Sequence, residues 1–223
     1  MDKRWDIGFR WFIKWSLIIT LGTLGADYIH VLWPYPNGAI GADAFKVQIR
    51  DEWTQLLEQT GGRIAPIANG IHDVLYTVLY RLPGIDYILT RASDPAPMDG
   101  GGEIMRRVVL GFRPYWETAR SGLQLFSIRV SVLVLAAPMF GLVFVASVSD
   151  GLVGWYRRRT GGDRESGFVF HRAKWLAGHA VLILCFTYLV FPNTVDPSMA
   201  MTAFTLIFCS AVHLATASFK KYI

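Results

Sequence analysis

Cysteine is nearly absent: the chain has two, Cys185 and Cys209. A disulfide framework or a zinc site needs more ligands at short spacing, so both are excluded, and the two thiols are expected as small buried hydrophobes. Strand-like alternation is almost missing, as is any nucleophile beside a base or any paired metal-ligand motif. These absences point to an all-α, non-enzymatic protein with no cofactor and no bound metal. Charge is thin too. Only 17% of residues are Asp, Glu, Lys or Arg, against 52% apolar, and a single soluble core of this size could not hide that excess in long runs.

What is there instead is a set of four apolar segments: Leu17 to Trp33, Val130 to Val148, Trp175 to Phe191 and Met199 to Phe219. Each is roughly 17 to 21 residues long, which at ~1.5 Å per residue matches a bilayer core of about 30 Å. The pattern predicts a polytopic membrane protein with four transmembrane helices. The first segment follows Met1-Asp-Lys-Arg and could be read as a secretory signal. Its length, and the following Trp33-Pro34-Tyr35-Pro36 in place of a small-residue cleavage pattern, favour a retained helix.

Lysine and arginine set the orientation, because positive segments resist translocation. Lys3, Arg4, Arg10 and Lys14 precede the first segment, Arg157 to Arg159, Arg164, Arg172 and Lys174 lie between the second and third, and Lys220 and Lys221 follow the last. Pro192 to Pro197 has no positive residue. Both termini and the basic loop (155–174) are therefore expected in the cytoplasm, with residues 34–129 and the short turn outside. Trp33, Tyr35, Trp155, Tyr156, Trp175 and Tyr188 lie near helix ends, where amphipathic rings favour the headgroup layer. The plan is thus a tail and first helix (1–33), an outer helical region (34–129), a second helix (130–154), the basic loop, and two final helices with a short tail (175–223).

The outer region carries ten basic and ten acidic residues, so its charge does not oppose this topology. Ala44 to Thr60 places Phe45, Ile49, Trp53, Leu56 and Leu57 on one helical face with charges opposite, and Gly61-Gly62 ends it. Ile64 to Leu82 repeats the pattern with Ile67, Ile71, Val74, Leu75, Val78, Leu79 and Leu82, and stops at Pro83-Gly84. Residues 91–102 are rich in Asp, Pro and Gly and predict a mobile linker; helix resumes at Glu103 and runs, with an interruption at Pro114, into the second membrane segment. The apolar faces are expected to pack on one another and on the membrane.

Ionisable residues in membrane segments are costly unless paired or hydrated. Asp27 and His30 are three apart near the outer end of the first helix and share a face, while Asp150, His179 and His213 fall at similar depth on the inner side. The inner three could form one polar cluster tying three helices together. In that case replacing His179 and His213 would have non-additive effects. Small residues four apart in Gly22 to Ala26 and Ala137 to Gly141 permit close helix approach.

The inner loop GWYRRRTGGDRESG has the glycines of a phosphate-binding turn but lacks the lysine and the preceding strand such a turn needs. Beside a membrane helix, Arg157, Arg158, Arg159 and Arg164 read as contacts to anionic lipid at the inner surface or as a docking surface, with no direct nucleic-acid binding expected. Asp163 and Glu165, which a bare charge anchor would not require, extend the docking reading.

The run from Ser149 to Lys174, with Asp150-Gly151, the three arginines and Gly161-Gly162, resembles the central signature of integrating conjugative element membrane proteins. The resemblance implies a multi-pass protein of the bacterial inner membrane that serves conjugative DNA transfer, as an accessory of type IV secretion or of its coupling ATPase. It implies partners among other components of the transfer apparatus and brings no catalytic residues. A homo-oligomer is compatible with it. Two other functions fit the same helix plan: a small proton-coupled transporter, which would need the Asp and His residues along one hydrated path, and an entry-exclusion or surface-sensing protein acting through the outer helices.

Overall fold

The computed structural model describes Lys14, Trp15, Ile18, Gly22, Thr23 and Gly25, residues 42–94, Ala96, and residues 99–161, 167–190 and 196–219. The first expected span therefore lies almost wholly outside the described residues, with Asp27 and His30. Among the described residues the ordered elements are all helical. In chain order they are α1 (Ala42–Thr60), α2 (Ile64–Tyr76) continued by a π turn (Thr77–Arg81), α3 (Ile85–Ser93), α4 (Gly100–Gly111), α5 (Arg113–Gly161), α6 (Gly167–Val190) and α7 (Pro197–Ala217). Among the described residues three stretches are long and apolar enough to cross a membrane: Tyr115–Gly161, Phe168–Leu189 and Pro197–Ala217.

Glycine sets the turns of the first helices. Gly61 and Gly62 have φ of 58° and 79°, and Gly84 has 77°, left-handed values that a Cβ makes costly. They separate α1 from α2 and the π turn from α3. Elsewhere the glycine and proline signals mislead. Helix α3 runs to Ser93, and Gly100 to Gly102, expected as linker, form the first turn of α4. Glu103 faces Arg106 at 3.6 Å and Arg107 at 3.8 Å there, the acid-before-base order that supports a helix start. Pro114 falls in the first turn of α5, where a helix amide has no intrahelical acceptor to lose, so the break comes before it, at Phe112.

Two compact units emerge: residues 1–131 with 189–194, and residues 132–188 with 195–223. In the first, Ile49, Glu52 and Leu56 of α1, Ile64 and Ala68 of α2, and Leu123, Leu125 and Ile128 of α5 are buried. Of the apolar row expected to pack on the other helices and on the membrane, Val74, Val78 and Leu82 are exposed. The π turn widens the helix by one residue per turn, as the Leu82 amide bonds the Thr77 carbonyl at 2.9 Å, and Tyr80 takes the buried position.

In the second unit, large apolar side chains such as Leu142, Val145, Met199 and Leu206 point outward. Outward apolar faces on helices of this length suit a surrounding of lipid. Asp196 caps α7: its carboxylate accepts from the Ser198 amide at 2.8 Å and the Ser198 hydroxyl at 2.6 Å, with Pro197 following as a favoured opening residue. Those hydrogen bonds hold its pKa below the usual carboxylate value.

Candidate functional site

The first unit holds a cavity of about 610 Å³ bounded by the π turn, α3, α4 and the start of α5. Tyr76, Tyr80, Tyr87 and Trp116 supply rings to its wall, and Asp86, Arg113, Glu117 and Arg120 supply charge. Tyr76 organises it. Its ring stacks on Tyr80 at 5.1 Å and on His72 at 5.7 Å, and Arg120 and Arg81 lie over it at 5.3 and 5.7 Å. Its hydroxyl donates to the Asp86 carboxylate. That bond, and then burial, raise the phenol pKa above its ordinary value.

A phenol that holds its proton more tightly when folded contributes stability that is full below the unfolded value, near 10, and is lost as pH rises through the folded one. Unfolding midpoints of the purified protein should therefore fall above about pH 10, and Asp86→Asn should flatten that decline. An unchanged alkaline limb in Asp86→Asn would remove Tyr76 as its source.

A second feature escaped sequence reasoning. Arg129 and Glu52 face each other in a two-pronged ion pair: Nε donates to Oε1 at 3.0 Å and Nη2 to Oε2 at 3.1 Å, with both side chains at most 4% exposed. Nη1 also donates to the Leu189 carbonyl at 3.5 Å. Glu52 falls three residues after Ile49 and four before Leu56, on the buried face of α1 and not on the charged one. The helical period was the available signal, and the residue's charge concealed it.

In the second unit, α5 and α7 meet through small and polar side chains. A Cβ built on Gly151 would stand 2.7 Å from the Thr216 Cβ and 2.9 Å from the His213 carbonyl oxygen, so the helices approach here as closely as glycine allows. Ser147, four residues earlier, donates to Cys209 Sγ at 3.0 Å, and Gly154 faces Ala217. Of the other small residues spaced to permit close approach, a Cβ at Gly141 or at Gly25 meets nothing within 4 Å. Cys185 and Cys209 are partly exposed, not buried, because their helices turn apolar faces outward.

Of Asp150, His179 and His213, the structure joins two. His213 Nδ1 lies 3.0 Å from Asp150 Oδ2, next to the Gly151 crossing. His179 turns to its own helix, where Nδ1 bonds the Trp175 carbonyl at 2.8 Å and the rings stack at 4.2 Å. An i,i+4 partner within one helix satisfies His179 locally, so it need not reach across. The expected non-additivity therefore moves: Asp150→Asn and His213→Leu should couple in detergent thermal stability, while His179→Leu should add independently to either. Coupling of His179 with His213 would contradict this arrangement. Arg157, Arg158 and Arg159 lie on helix and not in a loop, since α5 continues to Gly161 and α6 starts at Gly167. Cations at a helix carboxyl end favour that extension. Asp163, Arg164 and Glu165 fall outside the described residues.

Helices of this length and apolarity, with their apolar faces outward, define the class: an all-helical protein of membrane-spanning type, with three candidate spans among the described residues. Within that class the chain belongs to the DtrJ-like family, described as "IncC plasmid conjugative DNA transfer protein DtrJ-like", whose model matches residues 52–220. Membership implies a role in conjugative DNA transfer. No curated protein and no solved structure matches the chain.

Proposed function

We propose that the protein is a non-enzymatic, multi-pass component of the bacterial inner membrane that assembles with the conjugative transfer apparatus. The family match over most of the chain carries this reading. The resemblance of Ser149 to Lys174 to integrating conjugative element membrane proteins supports a place beside type IV secretion or its coupling ATPase. In this reading four helices cross the membrane, both termini and the basic helix ends are cytoplasmic, and the outer helices α1 to α4 are periplasmic. The exposed row Val74, Val78 and Leu82 and the arginines at the end of α5 are its docking surfaces.

Two measurements test it together. Deletion should lower mating frequency and plasmid-borne wild type should restore it, and affinity purification from membranes should recover transfer-apparatus proteins by mass spectrometry. Normal mating in the deletion strain, with no such protein recovered, would overturn the proposal. The double replacement Asp163→Ser with Glu165→Ser should insert normally yet transfer poorly if the loop is recognised and not merely an anchor.

A further inference from the structure

The basic residues at the facing ends of α5 and α6 have no carboxylate partner among the described residues. Arg157, Arg158, Arg159, Arg172 and Lys174 make no ion pair there, whereas Arg91, Arg106, Arg107, Arg113 and Arg129 of the first unit all do. Two of these arginines share one construction. Arg159 lies over the Trp155 ring at 5.3 Å, and Arg172 lies over the Phe168 ring at 4.3 Å, each an aromatic followed four residues later by arginine on one helix face. One couple closes α5 and the other opens α6.

A guanidinium laid on a ring has its face covered while its N–H fork stays free at the edge, the geometry that grips two phosphate oxygens at once. The surroundings are apolar. Leu152 and Val153 before the first couple, and Val169 and Leu176 beside the second, are exposed, and so are Phe168, Tyr156 and Trp175. A ligand for this place carries phosphate at one end and hydrocarbon at the other. We infer that the Trp155–Arg159 and Phe168–Arg172 couples bind the phosphodiester of an anionic phospholipid.

Single-stranded DNA offers the same phosphodiester. Strand-binding proteins, however, stack bases on rings along an open charged groove, whereas these rings sit among exposed aliphatic side chains on helices of membrane-crossing length. The inference rests on the proposed function in one respect, the placing of these helix ends at a leaflet surface.

The test uses the full-length protein in neutral detergent, with phosphatidylglycerol or phosphatidylcholine titrated by native mass spectrometry and inorganic phosphate or a short DNA oligonucleotide as competitor. Wild type should retain phosphatidylglycerol and not phosphatidylcholine. Arg159→Gln with Arg172→Gln should weaken retention about 25-fold, at about fivefold per cation near an anionic headgroup. Arg159→Lys with Arg172→Lys keeps the charge but not the stacked fork and should fall between, which also decides the matter if the glutamine pair does not fold. Arg106→Gln with Arg107→Gln removes equal charge from α4 and should change nothing. Undiminished retention in both the glutamine and lysine pairs overturns the inference, as does displacement of the lipid by oligonucleotide or by phosphate at equal concentration. Because lipid retention is read on purified protein, it can succeed while normal mating of a deletion strain sinks the transfer reading, or the reverse.

Discussion

Replacing Arg129 by Met, with Glu52 left in place, is expected to cost about 3–5 kcal/mol of stability, because it strands a buried carboxylate with its counter-ion gone. Glu52 is 3% exposed and its neighbours on α1, Ile49 and Leu56, offer it no donor side chain. Glu52→Leu should also destabilise, by less, since the guanidinium loses its counter-ion but keeps its bond to the Leu189 carbonyl. The exposed pairs Lys46–Glu117 and Arg91–Asp94 make a useful contrast: their side chains are about half exposed, and removing either should cost no more than about 1 kcal/mol. The double replacement Glu52→Leu with Arg129→Met removes both charges together and should be much milder than the sum of the single changes. Unfolding in detergent, followed by helicity, reads every one of these variants. Additive single effects would mean that the two residues are buried independently and that the ion pair does not hold α1 on α5. A large cost confined to Arg129 would instead assign the effect to its bond with the Leu189 carbonyl.

The ion pair also shows how far the sequence could be read. Apolar runs between 130 and 219 pick out the helices long and apolar enough to cross a membrane because bilayer thickness dictates a length, and length is visible in one dimension. The end of α1 at Thr60 was legible for a similar local reason, since two consecutive glycines can take positive φ at low cost. Partners were not legible. Glu52 and Arg129 are 77 residues apart, and nothing in the spacing of either predicts the other. Val74, ahead of the π turn at Thr77 to Arg81, is exposed as Val78 and Leu82 are, so the 3.6-residue period that groups them did not show which side of the helix would be covered. Glycine proved ambiguous in the same way. The composition of residues 91–102 reads as linker, yet three of its glycines enter a helix that the Glu103 pairs with Arg106 and Arg107 support. For Asp150, His179 and His213, the spacing along each helix did not show which way each side chain would face. Asp150 found His213, and His179 found the backbone of its own turn.

The same limit bears on glycine at a helix crossing, where sequence offers many small-residue pairs and structure selects one. Gly151→Ala is expected to destabilise by about 1–3 kcal/mol, since its added methyl would stand 2.7 Å from Thr216 Cβ and 2.9 Å from a backbone oxygen. The Thr216 side chain cannot yield by rotating away, because Cβ is fixed to the helix and its hydroxyl already donates to the Val212 carbonyl at 2.8 Å. Relief therefore requires α5 and α7 to separate, which would also stretch the His213–Asp150 pair and the Ser147–Cys209 hydrogen bond on the same face. Two controls fix the interpretation. Gly141→Ala adds a methyl to open space and should be neutral or slightly stabilising, as alanine is the better helix former, and Gly154→Ala meets the Ala217 Cβ at an ordinary 3.5 Å and should be near neutral. Thermal unfolding in detergent should rank the three with Gly151→Ala alone clearly lowered. Thr216→Ser removes the methyl at 3.2 Å but leaves the Cβ, and should recover only part of the loss. If Gly151→Ala matches Gly141→Ala, the helices do not meet at this glycine. Asp150 and His213 would then be paired by something other than the crossing that now brings them within 3.0 Å.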